Sequence, residues 1–179
     1  MFYFIPLRTA EVSARRPWAN YALMAVTVAL TAFAWTGGDL DFARRVATYG
    51  LGGTSGLDLV SHNFLHANVW HLLANLVGLW VFGNAICARV GSAAYIPLYL
   101  ALGAATGLVA KLFGTPLAIG ASGTINALVG LAVVTSPRIR VTAVVGAFWH
   151  VRKVDLPSAW FVAVWVLIDV VGAFAFDDG

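Results

Sequence analysis

Residues 120–135, GASGTINALVGLAVVT, place a serine at the start of an uncharged, apolar helix. Because glycines flank Ser122, we expect its hydroxyl to be accessible, beside the free backbone N–H groups of a helix start that can hold a developing oxyanion. A helix of about 14 residues is too short to cross a bilayer alone, so the serine is expected at mid-depth. Upstream, residues 62–75, HNFLHANVWHLLAN, begin a second apolar helix. These two stretches predict a hydroxyl and several polar side chains inside a membrane.

Composition also indicates a membrane protein. Of the 179 residues, 60% are hydrophobic and 11% charged, with a mean hydropathy of +0.84, whereas soluble domains have roughly 45–50% and 25%. The net charge of +3 is too small and too dispersed to indicate a nucleic-acid partner. The single cysteine, Cys87, excludes an internal disulfide and a multi-cysteine metal site. Charges within residues 1–17 argue against a cleavable signal peptide, so we expect a cytoplasmic N-terminal segment there.

Long uncharged runs predict an all-α membrane protein in which residues 18–179 form one helical domain. Gly114 and Pro116 make residues 113–119 a poor helix, so we expect a loop that dips into the bundle. Residues 141–149 are interpreted as an interfacial segment. The predicted helices cover residues 18–36, 66–88, 91–112, 122–135 and 157–176.

Basic residues predict the orientation through the positive-inside rule. With a cytoplasmic N-terminus, the inner side carries eight of them and the outer side three. The inner set is Arg8, Arg15, Arg16, Arg89, Arg138, Arg140, Arg152 and Lys153, and the outer set is Arg44, Arg45 and Lys111.

Taken together, the two stretches resemble the rhomboid family of intramembrane serine proteases. Gly120-Ala121-Ser122-Gly123 matches the family's Gly-x-Ser-Gly motif, which makes Ser122 the nucleophile. The resemblance gives His71 and Asn75, which share one helix face, the role of supporting the oxyanion together with the turn at Gly120. His66 matches the histidine at the mouth of that helix, and His62 matches a neighbouring polar position.

Two departures from the family pattern bear on activity. Asn126 stands four residues after Ser122, where well-known members have a tyrosine that packs on the catalytic histidine. The family's sixth helix, which supplies the general base, does not appear, and no histidine follows His150. A serine hydroxyl without a base is a weak nucleophile. We therefore expect five of the usual six transmembrane helices, a truncated version of a longer enzyme, and little or no activity from the chain as given.

Asp169 lies among apolar neighbours in the last predicted helix, and an intramembrane carboxylate is a functional-site hypothesis by default. A protonated packing residue is the favoured alternative. Ser122 also has a simpler interpretation, because serine is a common helix N-cap. The predicted pocket residues are His62, His66, Asn126 and Asp169.

The resemblance thus implies a multi-pass serine endopeptidase, which we expect in the bacterial inner membrane. It is expected to hydrolyse peptide bonds in or near transmembrane segments of other proteins, with no cofactor and no metal. A non-catalytic rhomboid-like protein that binds membrane clients is one alternative. A small transporter or metal-handling protein that uses His62, His66, His71 and Asp169 is the other.

Overall fold

A computed structural model describes residues 2–9, 15–115, 117–135, 140–147 and 150–157, together with Trp160 and Ala163. The chain divides into two compact units, Ser13–Leu128 in one and Met1–Val12 with Val129–Gly179 in the other. In chain order the elements are β1 (Phe2–Thr9), α1 (Trp18–Trp35), α2 (Asp39–Tyr49), α3 (Asp58–Ser61), α4 (Val69–Gly78), α5 (Asn84–Val90), α6 (Ser92–Leu112), α7 (Ser122–Thr135), β2 (Arg140–Ala147) and β3 (His150–Pro157). A short 3₁₀ turn, His62–Phe64, follows α3.

Within the described part of the chain, three helical segments are long and apolar enough to cross a bilayer: Trp18–Trp35, Val69–Val90 and Ser92–Leu112. They confirm the predicted helical membrane class and the first three predicted spans. The second span begins at Val69 rather than at the predicted His66, because Asn68 caps it by accepting a hydrogen bond from the His71 backbone N–H at 2.9 Å.

The last predicted helix, over residues 157–176, falls mostly outside the described residues, and Asp169 lies there. Pro157 ends strand β3 instead of beginning a helix, while Trp160 and Ala163 are helical. The short helix α7 has the predicted bounds.

The second span is continuous because α4 and α5 are joined by a wider helical turn, Leu79–Gly83. The Leu79 carbonyl accepts the backbone N–H of Asn84 across this turn. The amide of Asn20, fully buried on α1, also donates to the Leu79 carbonyl at 2.8 Å and accepts from the Tyr95 hydroxyl at 2.7 Å. One buried asparagine therefore links α1, the wide turn and α6 by hydrogen bonds that lipid could not make.

Small residues on α6 allow the segment before the second span to approach closely. A Cβ on Gly103 would lie 2.7 Å from Asn63 Nδ2, and one on Gly107 would lie 3.1 Å from His62 Cε1. The glycine face of α6 thus accommodates polar side chains of residues 62–63, and these side chains lead to the candidate site.

A three-stranded antiparallel sheet, in the order β1-β2-β3, was not predicted from the sequence, and neither was helix α2. Strand β1 pairs with β2 from Phe2↔Ala147 to Thr9↔Val141, and β2 pairs with β3. Residues 141–149, interpreted as interfacial, lie largely within β2, where β-branched side chains favour a strand. The predicted boundary between a cytoplasmic N-terminal segment, residues 1–17, and a transmembrane domain, residues 18–179, stays a prediction.

Candidate active site

Ser122 is the first residue of α7, and the turn before it is shaped by Gly120. Gly120 has φ +113, a conformation that residues with a side chain rarely adopt, and its N–H donates to the His62 carbonyl at 2.8 Å. A Cβ at this position would lie 2.6 Å from His71 Nε2. The serine turn therefore touches the His71 ring directly. Two residues of chain span at most about 7 Å, so Ser122 lies close to that contact.

His71 and Asn75 lie on consecutive turns of α4, as predicted from their spacing. Asn75 Nδ2 donates to the His71 carbonyl at 2.8 Å, which uses one of its two N–H bonds. Asn75 is 3% exposed, and its Oδ1 has no hydrogen-bond partner among the described residues. A buried amide that still has bonding capacity is suited to binding a polar ligand group.

The hydrogen bonds of His66 define its protonation. The Thr31 hydroxyl donates to the Phe64 carbonyl at 2.9 Å, so its oxygen must accept the bond from His66 Nδ1 at 3.0 Å. The proton of the neutral His66 ring is therefore on Nδ1, and Nε2 carries a lone pair. Burial, with a smaller contribution from His71, lowers the pKa of His66 from 6.5 to about 4.

His66 also faces the ring that touches the serine turn. Its side chain is fully buried, its Nε2 finds no partner in the described ranges, and its ring centroid lies 5.0 Å from that of His71 in an edge-to-face arrangement. A buried acceptor atom without a partner therefore belongs to the ring that packs against His71.

A second set of hydrogen-bonded polar side chains connects Asp58, His62 and Asn63 to α7. The His62 Nδ1–H donates to the Asp58 carbonyl at 2.7 Å, so Nε2 accepts from Asn63 Nδ2 at 3.3 Å. Asn63 Oδ1 in turn accepts a short hydrogen bond from the Thr124 hydroxyl. Burial lowers the pKa of His62, which favours this neutral form. Residues 62 and 63 therefore hold the turn at Gly120 and helix α7 at Thr124, on both sides of Ser122.

An ion pair anchors Asp58, where this series of hydrogen bonds begins. Asp58, 5% exposed, pairs with Lys111 near the end of α6 and accepts the Gly52 N–H at 2.9 Å. The hydrogen bond from Lys111 lowers the pKa of Asp58 below its ordinary value. The carboxylate therefore stays charged and fixes the segment that carries His62 and Asn63.

Sequence reasoning missed Thr31, Asn63 and Thr124. Each of them is a polar residue within an apolar run, which is the only sequence signal that could have identified it. Asn20 and Thr27 give the same signal but serve helix packing, so the signal does not distinguish site residues from packing residues. Among the predicted pocket residues, Asn126 lies on an exposed part of α7, and Asp169 is outside the described residues. Among the residues described, no three His, Cys, Asp or Glu side chains form a group able to hold a metal.

Three apolar spans and a short helix that begins with serine beside a histidine pair define an α-helical integral membrane protein with a polar site in its bundle. A family model described as "Rhomboid domain" matches residues 54–177. The chain belongs to the rhomboid family.

Curated relatives carry the same family name. The protein "Rhomboid protease GlpG" of Klebsiella pneumoniae subsp. pneumoniae is 34% identical over 70 residues, covering 39% of this chain and 25% of that protein. Those of Enterobacter sp. (strain 638) and Haemophilus influenzae are 29% identical over 105 residues and 34% identical over 71, covering 59% and 40% of this chain. The matched region spans 37% of each of these two proteins.

Proposed function

We propose that this protein is an intramembrane serine endopeptidase, and that Ser122 is its nucleophile. The observation that carries the proposal is the contact between the Gly120 turn and the His71 ring, two residues before Ser122. The proposed substrates are transmembrane segments of other proteins, whose backbone must unfold locally to present a carbonyl to the serine. The membrane is proposed to be the bacterial inner membrane, with the N-terminus in the cytoplasm.

In the proposed mechanism three kinds of group donate hydrogen bonds to the oxyanion. The first backbone N–H groups of α7 have no partner within the helix, and the His71 ring and the second N–H of Asn75 are the other proposed donors. A donor of this kind typically contributes about 10²–10³ in kcat. His66 also supports the proposal. Its Nε2 lone pair is a hydrogen-bond acceptor, and an acceptor favours neighbouring groups in the form that carries an N–H donor.

The general base is the remaining component of the proposal. Both ring nitrogens of His62 are engaged in hydrogen bonds, so His62 is a positioning residue. The resemblance assigns the base to a histidine of a sixth helix, and we place it there. That histidine would take the Ser122 proton on attack and return it to the leaving amine.

The test compares this chain with an extended chain that continues into a histidine-bearing sixth helix, each with Ser122 and with Ser122→Ala. Purified proteins in vesicles are treated with a fluorophosphonate and, separately, with a transmembrane substrate. We expect labelling and cleavage in the extended chain, both abolished by Ser122→Ala. Labelling that survives Ser122→Ala would remove Ser122 from the mechanism.

Two other outcomes are informative. Absence of both reactions in every form would favour the non-catalytic, client-binding alternative. Full activity of the unextended chain would move the base to His71 or to His150.

A further inference from the structure

An apolar cavity of about 280 Å³ lies beside the C-terminal end of α1. Its walls include Leu30 and Phe33 from α1 and Phe64 and Leu65 from the segment that precedes the second span. Arg45 of α2 also lines it. A cavity with apolar walls and one guanidinium is suited to an elongated apolar ligand that carries a negative group.

Arg45 is fixed in place but keeps unused donors. Its Nη1 donates to the carbonyls of Phe33, Ala34 and Thr36 at 2.7, 3.0 and 2.6 Å, and its guanidinium carbon lies 4.5 Å from the centre of the Phe33 ring. No described residue accepts a hydrogen bond from its Nε or Nη2. Those atoms carry three of the five N–H donors of arginine, in the planar arrangement that matches a phosphate.

The cavity lies at the end of a membrane span, where lipid headgroups meet the protein. Arg45 binds the last carbonyls of α1, which ends at Trp35. The next helix, α2, has no buried residue, begins with two acidic residues and exposes Leu40, a composition suited to the membrane surface. A ligand that reaches this region from the membrane would be a bilayer lipid, with its phosphate at the level of Arg45 and its chains beside α1.

We propose that this cavity is a binding site for one anionic phospholipid, with an acyl chain against Leu30 and Phe64 and the phosphate on Nε and Nη2 of Arg45. The site lies apart from Ser122, and it does not depend on the proposed peptidase activity. The bound lipid bridges α1, α2 and residues 61–65, so it stabilises the segment that leads to His66.

One pair of variants tests the apolar part of the site. Leu30→Trp fills the cavity and alters no hydrogen bond of the protein. Val28→Trp is the matched control, because Val28 is 41% exposed and Leu30 42%, and Val28 does not line the cavity. The pair separates cavity filling from the general effect of a tryptophan on a lipid-facing helix.

A second pair tests the headgroup contact. Arg45→Gln removes the donors proposed to bind the phosphate. Arg44→Gln is the matched control, because it removes a neighbouring positive charge from a side chain that is 79% exposed and pairs with Asp41. Because Arg45→Gln also removes the bonds that cap α1, the Leu30→Trp pair decides the outcome if Arg45→Gln unfolds.

The measurement is native mass spectrometry of the delipidated chain in neutral detergent, titrated with palmitoyl-oleoyl phosphatidylglycerol, with the matching phosphatidylcholine, or with inorganic phosphate. We expect one retained phosphatidylglycerol in the wild type and in both controls, Val28→Trp and Arg44→Gln. In thermal unfolding of the same samples, the midpoint of these three proteins should rise with added phosphatidylglycerol. Leu30→Trp should abolish retention, and Arg45→Gln should weaken it about fivefold.

Three results would overturn the proposal. The first is equal retention of phosphatidylcholine, which would mean that the site does not distinguish an anionic phospholipid from a zwitterionic one. The second is undiminished binding by Leu30→Trp. The third is stabilisation by inorganic phosphate alone to the same extent, which would show a simple anion site.

Discussion

At the scale of single residues, Gly120 is a position where backbone conformation and side-chain contact coincide. Its positive φ excludes most side chains, and the space that a Cβ would need is occupied by the His71 ring. Gly37 also has a positive φ, but the side chain that its Cβ would meet is Asp41 of α2, whereas Gly120 meets a ring of the candidate site. A substitution at Gly120 therefore acts on the geometry between His71 and Ser122 as well as on stability.

The first prediction compares Gly120→Ala with Gly114→Ala. Both positions have positive φ, and each alanine is expected to cost about 1–3 kcal/mol in backbone strain. Only Gly120→Ala meets His71, since a Cβ at Gly114 has nothing within 4 Å. Displacement of the turn should reduce fluorophosphonate labelling of Ser122 in the extended chain about a hundredfold, whereas Gly114→Ala should leave labelling near wild type. Equal labelling of the two variants would contradict the proposed geometry.

The second prediction concerns pH. The lowered pKa of His66, about 4, means that the unfolded chain binds a proton between pH 6.5 and 4 that the folded chain does not. The contribution of His66 to stability is therefore full above pH 6.5, decreases as the pH falls towards 4 and levels off below it, by up to about 3 kcal/mol. Thermal unfolding in detergent between pH 4 and 7 measures the slope. His66→Leu should reduce the slope, while the contribution of His62, whose pKa burial also lowers, remains.

How far the site could be predicted follows from the same residues. Ser122, Gly120 and His71 were recognisable because each carries a local signal: a helix start, a small turn residue and a polar helix face. Thr31, Asn63 and Thr124 carry no such signal. Their hydrogen bonds join residues 35 and 61 positions apart, and they depend on how closely helices approach one another.

At the scale of elements, α7 is held by polar bonds as well as by apolar packing. Thr124 is fully buried and Asn63 is 2% exposed, so their hydrogen bond has no competition from water. It joins the segment after α3 to the second residue beyond Ser122. The bond is expected to set the rotation of α7 about its axis.

The third prediction is that Thr124→Val destabilises the protein and Thr124→Ser does not. Valine keeps the shape but leaves Asn63 Oδ1 buried without a donor, at a cost of about 1–2 kcal/mol. Unfolding in mixed micelles measures the loss. In a double-mutant cycle with Asn63→Leu, additive losses would show that the two side chains do not act together.

The fourth prediction concerns the wide turn Leu79–Gly83. Asn20→Leu removes the donor to the Leu79 carbonyl and the acceptor of Tyr95, and should destabilise the chain by about 2 kcal/mol or more. Asn84→Ala removes only one bond of Asn20, at 2.8 Å, and serves as the milder comparison. Thermal unfolding in the same detergent ranks the two, and a larger loss in Asn84→Ala would contradict the assigned role of Asn20.

At the scale of the whole molecule, hydropathy predicted the three spans and α7, because lipid imposes length and polarity on every crossing. It did not predict α2 or the sheet. Helix α2 is too polar and short to register as a span. The strands Phe2–Thr9 and Arg140–Ala147 are separated by most of the chain, and their pairing is a tertiary event that no local pattern specifies.

The fifth prediction tests the orientation expected from the basic residues. Cys87 is the only cysteine, but it is 1% exposed and a poor target for labelling. In a Cys87→Ser background, Val90→Cys and Leu40→Cys introduce thiols at positions 37% and 76% exposed. An impermeant maleimide should label Val90→Cys only from the cytoplasmic side and Leu40→Cys only from the opposite side. The reverse pattern would invert the proposed topology.

The bridge between Leu51 and Ala118, with hydrogen bonds of 2.8 and 3.3 Å, has a consequence for biosynthesis. Together with the Gly120–His62 bond, it ties the turn before Ser122 to a segment translated much earlier. Closing so long a loop is entropically costly and slow, so α7 is expected to dock after the preceding spans have assembled. A nascent chain would then complete the candidate site only after α7 has left the ribosome, which would delay the proposed peptidase activity until the preceding spans have assembled.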